Sequence, residues 1–193
     1  MSLNINVYTN HLSDSLIPNI IKRLNDYEMF VEIHPDFSFN DQTGFLPFKF
    51  KLTKPNLDTL NDKVLKSGFE LEVDNFDFKT EIKNLKPKQS LIAKLIGKTN
   101  SEAPLFSSDI ESRLKDCNKV VTFAWGSADS FELRFAWLTS SILAELSNGV
   151  CFYPADNIWY DNSNIVDKAY QEIIDYENTL TEKDIVFHEF TEW

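Results

Sequence analysis

The chain has 193 residues, of which 42% are hydrophobic, 13% aromatic and 25% charged, a balance that excludes a disordered chain. It contains no apolar run of the roughly 18 residues that a membrane-spanning helix needs. The net charge of −11 is unevenly placed: residues 1–100 carry 13 Lys/Arg and 13 Asp/Glu, residues 101–193 carry 6 and 17, and such an acidic chain is a poor ligand for phosphate backbones.

The first element is a strand at 4–10, "NINVYTN", with Ile5, Val7 and Thr9 on one face. Because this start lacks a basic segment followed by an apolar one, it reads as a strand and not as a signal peptide, and the expected compartment is the cytoplasm. Residues 13–27 carry Leu16, Ile20 and Leu24 at helical spacing, with Pro18 acceptable in a first turn. Strands are expected at 29–35 and 45–53, then a helix at 54–68 stopped by Gly68, then a strand at 69–76.

The same order recurs after residue 118. "KVVTFAW" (119–125) is a strand, and 129–149 is the strongest helix, with Phe131, Phe135, Leu138, Ile142 and Leu146 as its apolar stripe. Asp129 and Glu132 have the spacing of a capping box, and Asn148-Gly149 is a helix stop. "GVCFYP" (149–154) and "NIWYD" (157–161) form a hairpin around turn residues 154–157, with Val150 and Phe152 on one side and Cys151 and Tyr153 on the other. A helix at 164–180 and a strand at 183–190 complete the pattern.

The expected fold class is therefore α+β, as two tandem ferredoxin-like β-α-β-β-α-β halves packed together. Residues 1–76 form the N-terminal half, 77–118 a basic connecting segment with helices, and 119–193 the acidic C-terminal half. The alternative is one continuous mixed sheet flanked by helices.

Motifs for catalysis are sparse. No glycine-rich phosphate loop occurs, and the histidines His11, His34 and His188 lack metal-ligand spacing. His11, His34 and Asp36 can meet at one sheet edge if the first two strands are neighbours. Ser127, in "WGSADS", stands between a strand and a helix like a nucleophile, but the second glycine of the nucleophile elbow is missing, and Ser127 or Asp129 serves as a helix cap. No catalytic residue, metal site or cofactor is assigned. Lys79, Lys83, Lys86, Lys88, Lys94 and Lys98 form a basic stretch without the interleaved aromatics of a nucleic-acid surface, and read as a solvated linker and helix face. Cys117 and Cys151 read as two reduced thiols.

The remaining signal is for binding. Phe152, Tyr153, Trp159 and Tyr160, with Asp156 and Asp161 beside them and Trp193 at the terminus, combine hot-spot aromatics with negative charge. The expectation is a cytosolic acidic binding protein, an inhibitor or immunity-like protein of bacterial type that blocks a basic protein partner. Neither nucleic acid nor membrane is an expected partner. The rivals are a small hydrolase-like enzyme with its site between the halves, drawing on Ser127, Asp129, Asp156, Asp161 and His11, and a homodimeric module pairing edge strands.

Overall fold

Alternating apolar residues build the framework of this computed structural model, which describes residues 3–40, 43–85, 106–160 and 163–193. Among the described residues there are eight strands: β1 (Leu3–Thr9), β2 (Met29–Ile33), β3 (Gly44–Leu52), β4 (Leu65–Asn75), β5 (Lys119–Trp125), β6 (Val150–Tyr153), β7 (Ile158–Tyr160) and β8 (His188–Glu189). Five helices accompany them among the described residues: α1 (Ile17–Leu24), α2 (Phe78–Leu85), α3 (Ser108–Asp116), α4 (Glu132–Leu146) and α5 (Ile165–Glu177). The strands form one open sheet in the order β2-β3-β4-β5-β1-β6-β7, with β8 added to the start of β4. Every pairing is antiparallel.

This corrects the tandem arrangement. β1 lies between β5 and β6, so strands from both sequence halves interleave in one sheet. The expected helix at 54–68 is also absent. A short 3-10 turn covers Asp58–Leu60, Asp62 takes a left-handed backbone (φ 59°), and a single long strand starts at Leu65. Leu65, Ser67, Phe69 and Leu71 are buried on one face, so the two-residue period prevails over the helix-like spacing of Leu57, Leu60 and Val64. Gly68 does not stop a helix. It sits opposite Pro47, where an added Cβ would lie 2.1 Å from the Leu46 carbonyl oxygen. The predicted strand at 183–190 shrinks to two residues, because Val186 is bonded to Ser130 and not to a strand.

α1, α4 and α5 cover one face. α4 is buried on nearly all sides, between the sheet, α1 and α5. Ala136, Ser140 and Ala144 keep its girth small. Phe135 packs on Phe48 and Phe50 with ring centroids 4.6 and 4.8 Å apart, each such burial contributing about 1.5–3 kcal/mol. Arg134, 2% exposed, donates from Nε and Nη2 to the two Glu177 carboxylate oxygens, both at 2.7 Å, and from Nη1 to the Tyr27 carbonyl at 3.1 Å. That pair ties α4 to α5 and to the turn after α1.

α4 ends as its sequence predicts. Asn148 is left-handed (φ 50°), its N–H donates to the Glu145 carbonyl, and the Gly149 N–H donates to Ala144 at 2.9 Å. Gly149 is required there, since a Cβ would come within 2.6 Å of the Tyr8 carbonyl oxygen. The start of α4 differs from expectation. Phe131 occupies the cap position without a side-chain cap, Asp129 Oδ1 accepts from the Phe131 N–H, and Glu132 reaches back to the Gly126 N–H at 2.7 Å.

On the other face a smaller cluster gathers Tyr8, Phe76, Ile110, Leu114, Val150 and Phe152 under α3. Ser107 Oγ caps α3 by accepting from the Ile110 N–H. No described helix is long and apolar enough to cross a membrane.

Candidate functional site

A cavity of about 540 Å³ opens on the helix-covered face, inside the size range of small-ligand sites. Strand alternation supplies one wall. Trp125 is paired with Leu3 at the end of β5, and Ile5 projects to the same side from β1. Tyr153 follows Cys151 by two residues on β6, and Tyr160 stands opposite Cys151 on β7, so both tyrosines face the same way. The odd-even rule thus divides the hairpin: Tyr153 and Tyr160 line the cavity, while Phe152 and Trp159 turn to the α3 side.

Helical spacing supplies the second wall. Leu133 and Trp137 lie four apart on α4, Glu172 and Tyr176 four apart on α5, and all four line the cavity. The Trp137 indole donates to Glu172 Oε2 at 2.7 Å and meets the Tyr160 ring edge-on, centroids 4.9 Å apart. The Trp125 and Tyr153 rings lie nearly parallel, 19° apart in plane and 6.4 Å between centroids.

The rim is the loop 126–131 with the C-terminal segment. The Ser130 N–H donates to the Val186 carbonyl at 2.8 Å, and the Val186 N–H to Ser130 Oγ at 3.0 Å. Ser127, Asp129 and Asp184 join the lining there. Asp129 Oδ1 accepts from Ser67 Oγ (2.9 Å) and from the Phe131 N–H (2.7 Å). Burial raises its carboxyl above the usual 3.8, and those two donors oppose the rise. The Tyr160, Tyr153 and Tyr176 phenols are raised too, by burial first and then by neighbouring carboxylates, so they are neutral hydroxyls at pH 7.

The lining is therefore three carboxylates and five aromatic rings, with no Lys, Arg or His among the described residues that form it. Among the described lining residues Ser127 has no histidine or cysteine beside it, and the acid–base groups that share the cavity with it are Asp129, Glu172 and Asp184. No group of three or more His, Cys, Asp or Glu among the described residues can hold a metal ion.

The other sequence candidates are dispersed. Asp156 is exposed in the hairpin turn, where Asn157 is left-handed (φ 55°). Trp159 stacks on Phe152 (4.1 Å) and lies against Tyr8 and Phe106. Trp193, 41% exposed, packs edge-on against His34 and Phe190. Asp161 and most of the lysine stretch, from Lys86 onward, fall outside the described residues. Asp36 donates its backbone N–H to His34 Nδ1 at 3.2 Å, while the His11 N–H donates to Thr9 Oγ1 at 3.0 Å. Cys117 and Cys151 are free thiols in separate clusters on the two faces of the sheet.

Sequence reasoning missed Leu3, Trp125, Trp137, Glu172, Tyr176 and Asp184 as members of one site. Comparison with known proteins gives no match: no family model, no curated protein and no solved structure aligns significantly with the chain.

Proposed function

We propose that the protein acts by binding a positively charged partner, as an inhibitor or immunity-like protein that occupies a basic protein. The observation that carries this reading is the cavity itself, whose described lining offers three carboxylates and five aromatic rings and holds no Lys, Arg or His. A basic side chain entering it meets ring faces and Glu172 together, a combination that strengthens as water leaves. The 17 acids against 6 bases in residues 101–193 would steer such a partner from a distance.

The test is capture from native-host lysate on the tagged protein, followed by reconstitution with the purified captured protein at low and high salt. A basic protein that binds at low salt, is released by a tenfold rise in salt, and is lost on Glu172→Lys supports the reading. Binding indifferent to salt and to that charge reversal overturns it.

A second reading has one observation in its favour: Ser127 and Asp129, at a strand-to-helix loop, line the same enclosed volume. A small hydrolase would use Ser127 there, with Asp129 or Glu172 as acid or base. Turnover of activated esters that disappears in Ser127→Ala would favour it, and turnover unaffected by that change would remove it.

A further inference from the structure

We infer that the cavity between β5, β6, β7, α4 and α5 is a receptor for a methylated ammonium group, held against its aromatic rings with Glu172 as counter-charge. This rests on the cavity being the place where positive charge is received, and it goes further by choosing among cations.

The choice follows from what the walls can satisfy. A primary ammonium brings three N–H donors and a guanidinium five, each needing an acceptor once water is excluded. One oxygen of each carboxylate here is already engaged by the protein. Glu172 Oε2 accepts from the Trp137 indole, Asp129 Oδ1 accepts two donors, and Asp184 Oδ2 accepts from Thr181 Oγ1 at 2.6 Å. What remains in quantity is ring surface from Trp125, Trp137, Tyr153, Tyr160 and Tyr176. Quaternary ammonium has no N–H to satisfy, carries apolar methyl groups that rings cover well, and keeps its charge at every pH. Aromatic faces attract such a cation within about 6 Å of the ring centroid. The Trp137–Glu172 hydrogen bond gives the site a fixed corner, because it orients the indole and holds the carboxylate beside it.

The same chemistry occurs on free small molecules and on trimethylated lysine in a peptide, so the experiment carries both. Tryptophan fluorescence and calorimetry follow titration with tetramethylammonium, choline, methylammonium and the neutral choline isostere 3,3-dimethylbutan-1-ol. A lysine peptide is added in unmodified and trimethylated forms. The expected result is saturable binding of the quaternary ions, at least about tenfold tighter than the neutral isostere and tighter than methylammonium. Glu172→Gln weakens it several-fold and Tyr160→Leu about tenfold or more. Glu172 is exposed, so its variant tests the site without a folding defect, and an unchanged thermal midpoint verifies this.

Equal binding of the neutral isostere, preference for methylammonium, or no saturable signal overturns the assignment. The peptide arm identifies the source, a preference for the trimethylated peptide over choline placing the group on a protein. Capture of a basic protein without any ammonium binding sinks this inference and leaves the partner reading standing. Ammonium binding without a captured protein does the reverse.

Discussion

Replacing Glu177 by Ala will destabilise the protein by about 3–5 kcal/mol, the cost of removing one partner from a buried ion pair. The structure supports a value in that range from the bonds themselves. Arg134 and Glu177 share two hydrogen bonds of 2.7 Å, with side chains 2% and 8% exposed. Charge-assisted bonds contribute about 1.5–3 kcal/mol each. In the variant Arg134 keeps, among the described residues, the Tyr27 carbonyl as its hydrogen-bond acceptor, and its charge stays buried. Replacing both residues together, as Arg134→Met with Glu177→Leu, removes the desolvated charges along with their attraction and costs far less than the single change. Urea unfolding followed by circular dichroism gives the three free energies, and their non-additivity gives the coupling. For a chain of this size, each kcal/mol lowers the midpoint of thermal unfolding by about 2–4 °C. The loss changes little between low and high salt, because a buried pair is poorly screened. A single-variant cost under about 1 kcal/mol, or a double variant as damaged as the worse single one, would refute the reasoning. The pair also bears on the cavity, since Glu177 follows Tyr176 and lies five residues beyond Glu172 on α5.

Gly68→Ala puts a methyl group against the Leu46 carbonyl and costs at least the ~1–3 kcal/mol of overpacking, read from the same urea curves. Trp159→Ala empties a stack against Phe152, Tyr8 and Phe106 and costs about 2–3 kcal/mol, somewhat below the ~3–5 of a fully buried tryptophan; an unchanged unfolding midpoint would show that the ring is not structural. Burial pushes the Cys117 thiol up to about 11 and raises Cys151 as well, so iodoacetamide at pH 8 labels the native protein slowly and the urea-unfolded protein at both sites, counted by mass. Asp129, raised in the fold above 3.8, contributes stability that is whole below that value and fades as pH rises through its folded value. Asp129→Asn keeps an oxygen acceptor and removes the titration, so its stability relative to the native protein improves as pH climbs through that window. A pH-independent difference between the two would count against the assignment.

The hairpin at 150–160, the body of α4 and its stop at Asn148-Gly149 are legible because each is written locally, in alternation, a 3.6-residue stripe and a left-handed position, whereas the start of α4 is not. The strand at 69–75 is legible, but 54–68 reads as a helix because Leu57, Leu60 and Val64 fit a helix as well as Leu65, Ser67, Phe69 and Leu71 fit a strand. Only the neighbours β3 and β5 decide between them. The strand order was out of reach for the same reason: nothing near Val7 specifies Val121 and Cys151 as its partners. Within the cavity, Tyr153 and Tyr160 could be flagged from composition. Trp137 was hidden because it lies outside the helix's main stripe, and α4 is buried on that flank as well. Leu3, Trp125 and Asp184 come together only through tertiary packing.

The central place of β1 has a consequence for synthesis. Its first partner, β5, begins at Lys119, and the second, β6, at Val150. At about 5–20 residues per second, roughly 5–20 s pass on the ribosome between completion of β1 and arrival of β5. Throughout that interval Ile5, Val7 and Tyr8 have neither flanking strand to pair with. β2, β3 and β4 can already zip into a meander, so the nascent chain holds a preformed half-sheet whose β4 edge waits for β5. Only β5 joins the two, since it pairs with β4 on one side and β1 on the other. Release of residues 119–125 is therefore the event that turns a local hairpin stack and a stranded first segment into one sheet.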